Sequence, residues 1–150
     1  MCITNGTVSY KNIQKESTGG FMILNIDFNS EEAIYIQLRN QIVIGIATSQ
    51  LEDGDALPSV RQLAENIGIN MHTVNKAYSV LKQEGFVKLD RRKGAVIALD
   101  VDKVIGMQRL SQAMQIILAE AMCKDISRDE VHALVNKIYD YYEGSDCCSD

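Results

Sequence analysis

The chain has 150 residues, 46% of them hydrophobic and 23% charged, with four cysteines and a formal net charge of −5. That length holds one ordinary domain, or a small domain with an appendage, and the composition is that of a folded chain rather than a disordered or fibrous one. No apolar run approaches the ~18–20 residues of a membrane span, and the overall acidity argues at first sight against a nucleic-acid partner.

Residues 1–21 are polar and without period, and read as a disordered or untranslated extension. They end in Gly19-Gly20-Phe21 before Met22. Gly-Gly codons can read GGAGG shortly before a Met codon, like a bacterial ribosome-binding site, so Met22 is the expected start. The same stretch has no apolar core flanked by basic residues, and no signal peptide is expected. Glu32 to about Gln50 carry Ile34, Leu38, Ile42 and Ile46 at helical spacing. Asp53-Gly54-Asp55 is a turn signal. Pro58 then leads into Ser59 and Gln62, which have the spacing of a capping box. Val60, Leu63, Ala64 and Ile67 make one apolar face of a short helix that Gly68 can end. Asn70 can cap a second helix, whose apolar face is Val74, Ala77, Tyr78 and Leu81 and which Gly85 stops. Phe86, Val87 and Leu89, a turn-rich tip from Asp90 to Gly94, and a return from Ala95 to Leu99 predict a two-stranded hairpin. From Val101 the pattern is helical again: Leu110, Ala113, Met114, Ile117, Leu118, Ala121 and Met122 form one long stripe. Ser127 and Glu130 repeat the capping-box spacing before Val131, Leu134, Val135, Ile138, Tyr141 and Tyr142, with Gly144 as the stop and 145–150 as a frayed tail.

Charge is unevenly placed along this order. Residues 57–98 hold Arg61, Lys76, Lys82, Lys88, Arg91, Arg92 and Lys93 against Glu65, Glu84 and Asp90. Both flanking segments are net acidic. Local charge is what attracts phosphate, so the impression left by the total is reversed. Two short helices with a glycine turn form a helix-turn-helix, whose second helix fits the major groove of DNA and presents its N-terminal residues to base edges. Opposite the apolar face of that helix, His72, Lys76 and Ser79 are expected to point directly away, with Asn75 on the flank. The basic hairpin is then a wing that reaches adjacent phosphate or minor groove.

These residues carry a family resemblance. "LPSVRQLAENIGINMHTVNKAYSVLKQEGFV", followed by Arg91-Arg92-Lys93-Gly94, resembles the winged-helix domain of the GntR family of bacterial transcription regulators. The likeness covers residues 32–98, and the remaining tail resembles that of the YtrA-like subgroup. It implies a fold that is mostly α with a small β wing: a winged helix-turn-helix over 22–100 and a C-terminal helical dimerisation region over 101–150. It also implies DNA-binding roles for Ser59, Arg61, Asn70, His72, Thr73, Asn75, Lys76, Arg91, Arg92, Lys93 and Gly94. Arg61 has a fork that matches guanine O6/N7 or a phosphate. Gly94 falls at the wing tip, where bare backbone can approach the minor groove. Many family members have arginine where this chain has Met71, so no operator sequence is carried over.

The stripes of the tail are wide and too short to form a core of their own, so Leu110, Met114, Ile117, Leu118, Met122, Val135 and Ile138 are the expected dimerisation residues. A two-fold dimer presents two recognition helices about one DNA turn apart and suits a palindromic operator. The implied function is a cytoplasmic homodimeric repressor, with transporter genes as the subgroup's usual targets. A small-molecule effector of unspecified identity has room only at the dimer interface, with Tyr139, Tyr141 and Tyr142 as candidate lining. The roughly fifty residues after the wing leave no space for the large aminotransferase-like domain of some relatives.

Neither a cofactor nor a metal is expected. His72 has Asn75 and Lys76 at the helical ligand spacings, His132 beside Asp129 and Glu130 reads as a charged helix surface, and Cys2, Cys123, Cys147 and Cys148 contain no C-x-x-C pair and read as reduced thiols. No P-loop, G-x-S-x-G or H-E-x-x-H sequence marks an enzyme. Two alternatives remain open from the residues: a winged-helix protein-interaction module that does not bind DNA, and a small metal-binding protein.

Overall fold

The computed structural model of the chain describes residues 3–4, 7–14, 21–99 and 102–144. It divides into two compact units, 1–99 and 100–150.

The first unit opens with an antiparallel sheet of β1 (Ile3–Thr4), β2 (Thr7–Gln14) and β3 (Phe21–Asp27), in that order. Thr7 pairs with Asp27 and Gln14 with Phe21, with a register shift between Lys11 and Ile13. Residues 3–4 and 7–14 thus lie in strands, in the segment expected to be a disordered or untranslated extension: Thr7, Val8, Tyr10 and Ile13 are β-formers, and a partner strand lies a few residues downstream. β3 itself was not anticipated, although Leu24 and Ile26 are buried and alternate with Asn25 and Asp27.

Helix α1 (Ile34–Ala47) lies against β3. It buries Leu38 and Ile42, with Ile34 and Ile46 partly covered. Two glutamines on its strand-facing side bond the β3 backbone. Gln37 accepts from the Asp27 N–H at 2.9 Å and donates to the carbonyls of Asp27 at 2.9 Å and Glu32 at 2.8 Å. Gln41 accepts from the Asn25 N–H at 2.7 Å and donates to the Asn25 carbonyl. Gln37 can thus be buried with its polar atoms satisfied.

α2 (Val60–Ile67) and α3 (Met71–Gln83) follow, then the hairpin of β4 (Val87–Asp90) and β5 (Gly94–Ile97). Leu63, Ala64 and Ile67 from α2 meet Val74, Ala77, Tyr78 and Leu81 from α3 in one core, which Leu38, Ile42, Val87 and Ile97 complete. The segment before α2 runs beside β5: Leu57 N–H bonds the Ala95 carbonyl, and Ile97 N–H bonds the Asp55 carbonyl. This ties the wing to the start of the helix-turn-helix.

The second unit is α4 (Lys103–Cys123) and α5 (Arg128–Glu143). Asp102 caps α4 through bonds from Val104 and Ile105, and Ser127 with Glu130 forms a full capping box on α5. Gly144 ends α5 in a right-handed conformation, φ −73°. Neither helix buries a residue, and the two make little contact along their length. No helix among the described residues is long and apolar enough to cross a membrane. Cys2, Cys147, Cys148 and the expected frayed tail lie outside the described residues.

Candidate nucleic-acid interface

The two helices of the helix-turn-helix are set by local caps. The Ser59 hydroxyl accepts from Gln62 N–H at 3.2 Å, and the Gln62 side chain accepts from Ser59 N–H at 3.0 Å. Gly68 closes α2 in the left-handed region at φ +76°, a conformation cheap only for glycine. The Asn70 side chain then accepts from His72 N–H at 2.8 Å and starts α3. Tyr78 supplies the cross-link: its hydroxyl donates to the Pro58 carbonyl at 2.9 Å, so α3 holds the turn that launches α2. Burial drives that phenol well above its ordinary pKa, and it stays a neutral donor.

On α2, Arg61 stands exposed, its Nε 2.9 Å from the carboxylate of Glu65 one turn later, with side-chain exposures of 77% and 63%. The Glu65 hydrogen bond and charge hold the guanidinium pKa even higher than usual. On α3, His72 and Asn75 are exposed and Thr73 is half-buried. Ser79 returns its hydroxyl to the Asn75 carbonyl at 2.8 Å. Lys76 does not point directly away from the apolar face as expected. Its ammonium sits 3.9 Å from the ring centroid of Tyr35 on α1, a cation–π contact that draws the long side chain sideways.

At the wing, Asp90 accepts from Arg92 N–H at 2.7 Å and Lys93 N–H at 2.9 Å. Those two bonds, that of Lys93 first, hold its carboxyl below the usual pKa. They fold the tip so that Arg91, Arg92 and Lys93 are all exposed, and Gly94 takes φ +76° with open space around it. Sequence reasoning placed the turn at Asp90 to Gly94 but missed three of these features: the Glu65 partner, visible as an i, i+4 pair; the Asp90 side-chain bonds within that turn, visible as an Asx signal; and the Tyr35 contact, which had no local signal.

In the tail, Met114, Leu118 and Val135 are half-buried, whereas Leu110, Ile117, Met122 and Ile138 are exposed. The seven expected dimerisation residues thus fall into two sets, one half-buried and one left to solvent. Among the described residues no group of three or more His, Cys, Asp or Glu is placed to hold a metal ion.

The sequence profile of bacterial regulatory proteins of the gntR family matches residues 31–97. A solved structure, YtrA from Sulfolobus acidocaldarius, described as a GntR-family transcription factor, is 38% identical; the match covers 61% of this chain and 97% of that one, with a TM-score of 0.52. The chain belongs to the GntR family. Within that family it is YtrA-like: the transcriptional repressor YtrA of Bacillus subtilis is 28% identical over 119 residues, 77% of this chain and 92% of that protein. The HTH-type regulator YhcF of Bacillus subtilis is 37% identical over 71 residues, where the chain spans 59% of its length. GntR-family transcriptional regulators are DNA-binding regulators rather than enzymes, and the winged helix over residues 31–97 is their DNA-binding domain.

Proposed function

We propose that the chain is a homodimeric, sequence-specific repressor that binds a palindromic operator. The observation that carries this reading is the pairing of two features in one chain. One is a winged helix whose recognition-helix start and wing tip are exposed, polar and basic. The other is a helix pair that buries nothing by itself. Ile117 is 61% exposed, Leu134 57%, Ile138 46% and Tyr141 71% on the second unit. A helix pair with so much uncovered apolar surface is half of an interface, and a second copy supplies the missing half with two-fold symmetry. In this reading Arg61, His72, Thr73 and Asn75 meet base edges, while Arg91, Arg92 and Lys93 meet phosphate and Gly94 lets the wing backbone close on the groove. Lys76, held over Tyr35, contacts phosphate at the flank. Asn70 spends its carbonyl oxygen on the cap and keeps only its amino group for DNA. Repression is supported by the similarity to the Bacillus subtilis transcriptional repressor YtrA. Transporter genes as targets rest on the subgroup resemblance alone, and the site of action is the cytoplasm, where chromosomal DNA lies.

The test is selection of duplexes from a genomic pool by the full chain, followed by gel shift across a salt series and sedimentation. The expected result is an inverted repeat with half-sites about one helical turn apart, bound by a dimer, with affinity falling steeply as salt rises. Failure to retain any duplex at low salt would show a protein-interaction module instead.

A further inference from the structure

Met71 is the first residue of α3 and is 50% exposed. It lies two helical turns before Tyr78, on the same side of the helix, and one turn before Asn75. The residues further along that side, Val74 and Tyr78, are buried. Met71 is on the stripe that makes the core but beyond the point where the core ends, so its thioether projects from the leading edge of the recognition helix. Its neighbours in the first turn are polar, and Asn70 has its carbonyl oxygen committed to the His72 N–H. Thr73 lies on the opposite flank of the helix, and Lys76 reaches to Tyr35 of α1. Asn75 and Met71 therefore share one edge of the reading face, one with hydrogen-bonding atoms and one without.

A side chain that neither donates nor strongly accepts cannot read the donor and acceptor pattern of a base pair. The major groove offers it one distinctive apolar group, the C5-methyl of thymine. Methionine is long, unbranched and polarizable, and adapts to a small apolar target at a distance. We propose that Met71 is a specificity-determining residue that reads the 5-methyl group of one thymine in each operator half-site. This rests on the DNA-binding reading above.

The experiment uses the full chain and duplexes selected from a random pool. Each thymine of the selected half-site is replaced in turn by deoxyuridine, which keeps every hydrogen-bonding atom and removes only the methyl. One position should weaken wild-type binding roughly fourfold per half-site, the worth of burying one methyl-sized group. Met71→Ala should bind the thymine and deoxyuridine duplexes alike, at about the wild-type affinity for the deoxyuridine duplex. Met71→Leu should restore part of the methyl dependence. Equal binding of a random duplex by all three proteins, with matching circular dichroism, ties the change to readout and not to folding. A selected site without a methyl-sensitive thymine, or a Met71→Ala protein that keeps the full methyl dependence, overturns the proposal while leaving DNA binding intact. A chain that enriches no sequence overturns the DNA-binding reading and this proposal together.

Discussion

Arg61 reaches DNA, in the proposed function, from a resting contact with Glu65. Both side chains are largely exposed, and exposed ion pairs are weak because water screens them. Glu65 is therefore a competitor that phosphate or guanine displaces easily. Arg61→Ala should weaken operator binding by roughly 5- to 150-fold, the range for one bidentate base contact, and relax preference at one base pair per half-site. Glu65→Ala should tighten binding to every duplex; an operator-specific loss in that variant would mean Glu65 orients Arg61 instead. Tyr78→Phe removes the only hydroxyl in the described structure that ties α3 to the Pro58 carbonyl. It should cost about 0.5–1.5 kcal/mol in a urea melt and lower operator affinity through a loosened α2 start. At this scale the sequence reveals residue type better than direction. The phase of Lys76 on α3 places its Cα correctly, but the flexible side chain swings back to Tyr35, a residue 41 positions away that periodicity within one helix cannot register.

The helix-turn-helix was legible because its signals are local: a capping box, a left-handed glycine and an Asn cap each act within three or four residues. The wing was legible as a hairpin from its alternation and tip. β2 and β3 were not, although the turn dipeptides Asn5-Gly6 and Gly19-Gly20 directly precede them in the sequence; the register shift between Lys11 and Ile13 breaks the alternation along β2. The wing also holds its own counter-charge. Asn at position 90 can accept the same two backbone bonds as Asp, so Asp90→Asn should keep the turn while making the tip more positive. Binding to non-operator duplex should rise at low salt and converge with wild type at high salt. Arg92→Ala should do the reverse and lower the salt slope by about one unit. The depressed carboxyl of Asp90 sets the pH sign. The part of the turn's stability that depends on the charge is fully present above the ordinary aspartate range and is lost as pH falls through the lower folded value. Amide exchange of Arg92 and Lys93 should therefore stay slow through mildly acidic pH and accelerate only below that range. Exchange that speeds up already near neutral pH would contradict the role of Asp90.

For the whole molecule, the apolar stripes of the tail were readable from spacing, but which stripe faces inward was not. The half-buried set, Met114, Leu118 and Val135, lies about 60–100° around the helix axis from Ile117 and Ile138. That choice depends on a partner whose position one chain's periodicity does not encode. Ile117→Glu should convert the proposed dimer to a folded monomer, because a carboxylate in an apolar interface has no partner. Leu118→Glu should disturb the tail's own structure as well. Losing the linkage between two half-site contacts should reduce operator affinity by about 10²–10⁴-fold while single half-site binding persists. Sedimentation with circular dichroism checks this, and a folded Ile117→Glu protein that stays dimeric would place the interface elsewhere.

Gln37 and Gln41 are one turn apart on α1, an axial step of ~6 Å, and the peptide groups they bond, at Asp27 and Asn25, are two residues apart on a strand, a step of ~6.6 Å. Two carboxamides at that spacing imitate two rungs of a neighbouring strand, and α1 thereby occupies the β3 edge where another chain's strand would otherwise add. The proposed dimer brings copies of the chain close to one another, which is the circumstance in which an unsatisfied strand edge is most dangerous. The glutamine pair removes that competing route to self-association, at the cost of two polar side chains placed against the core.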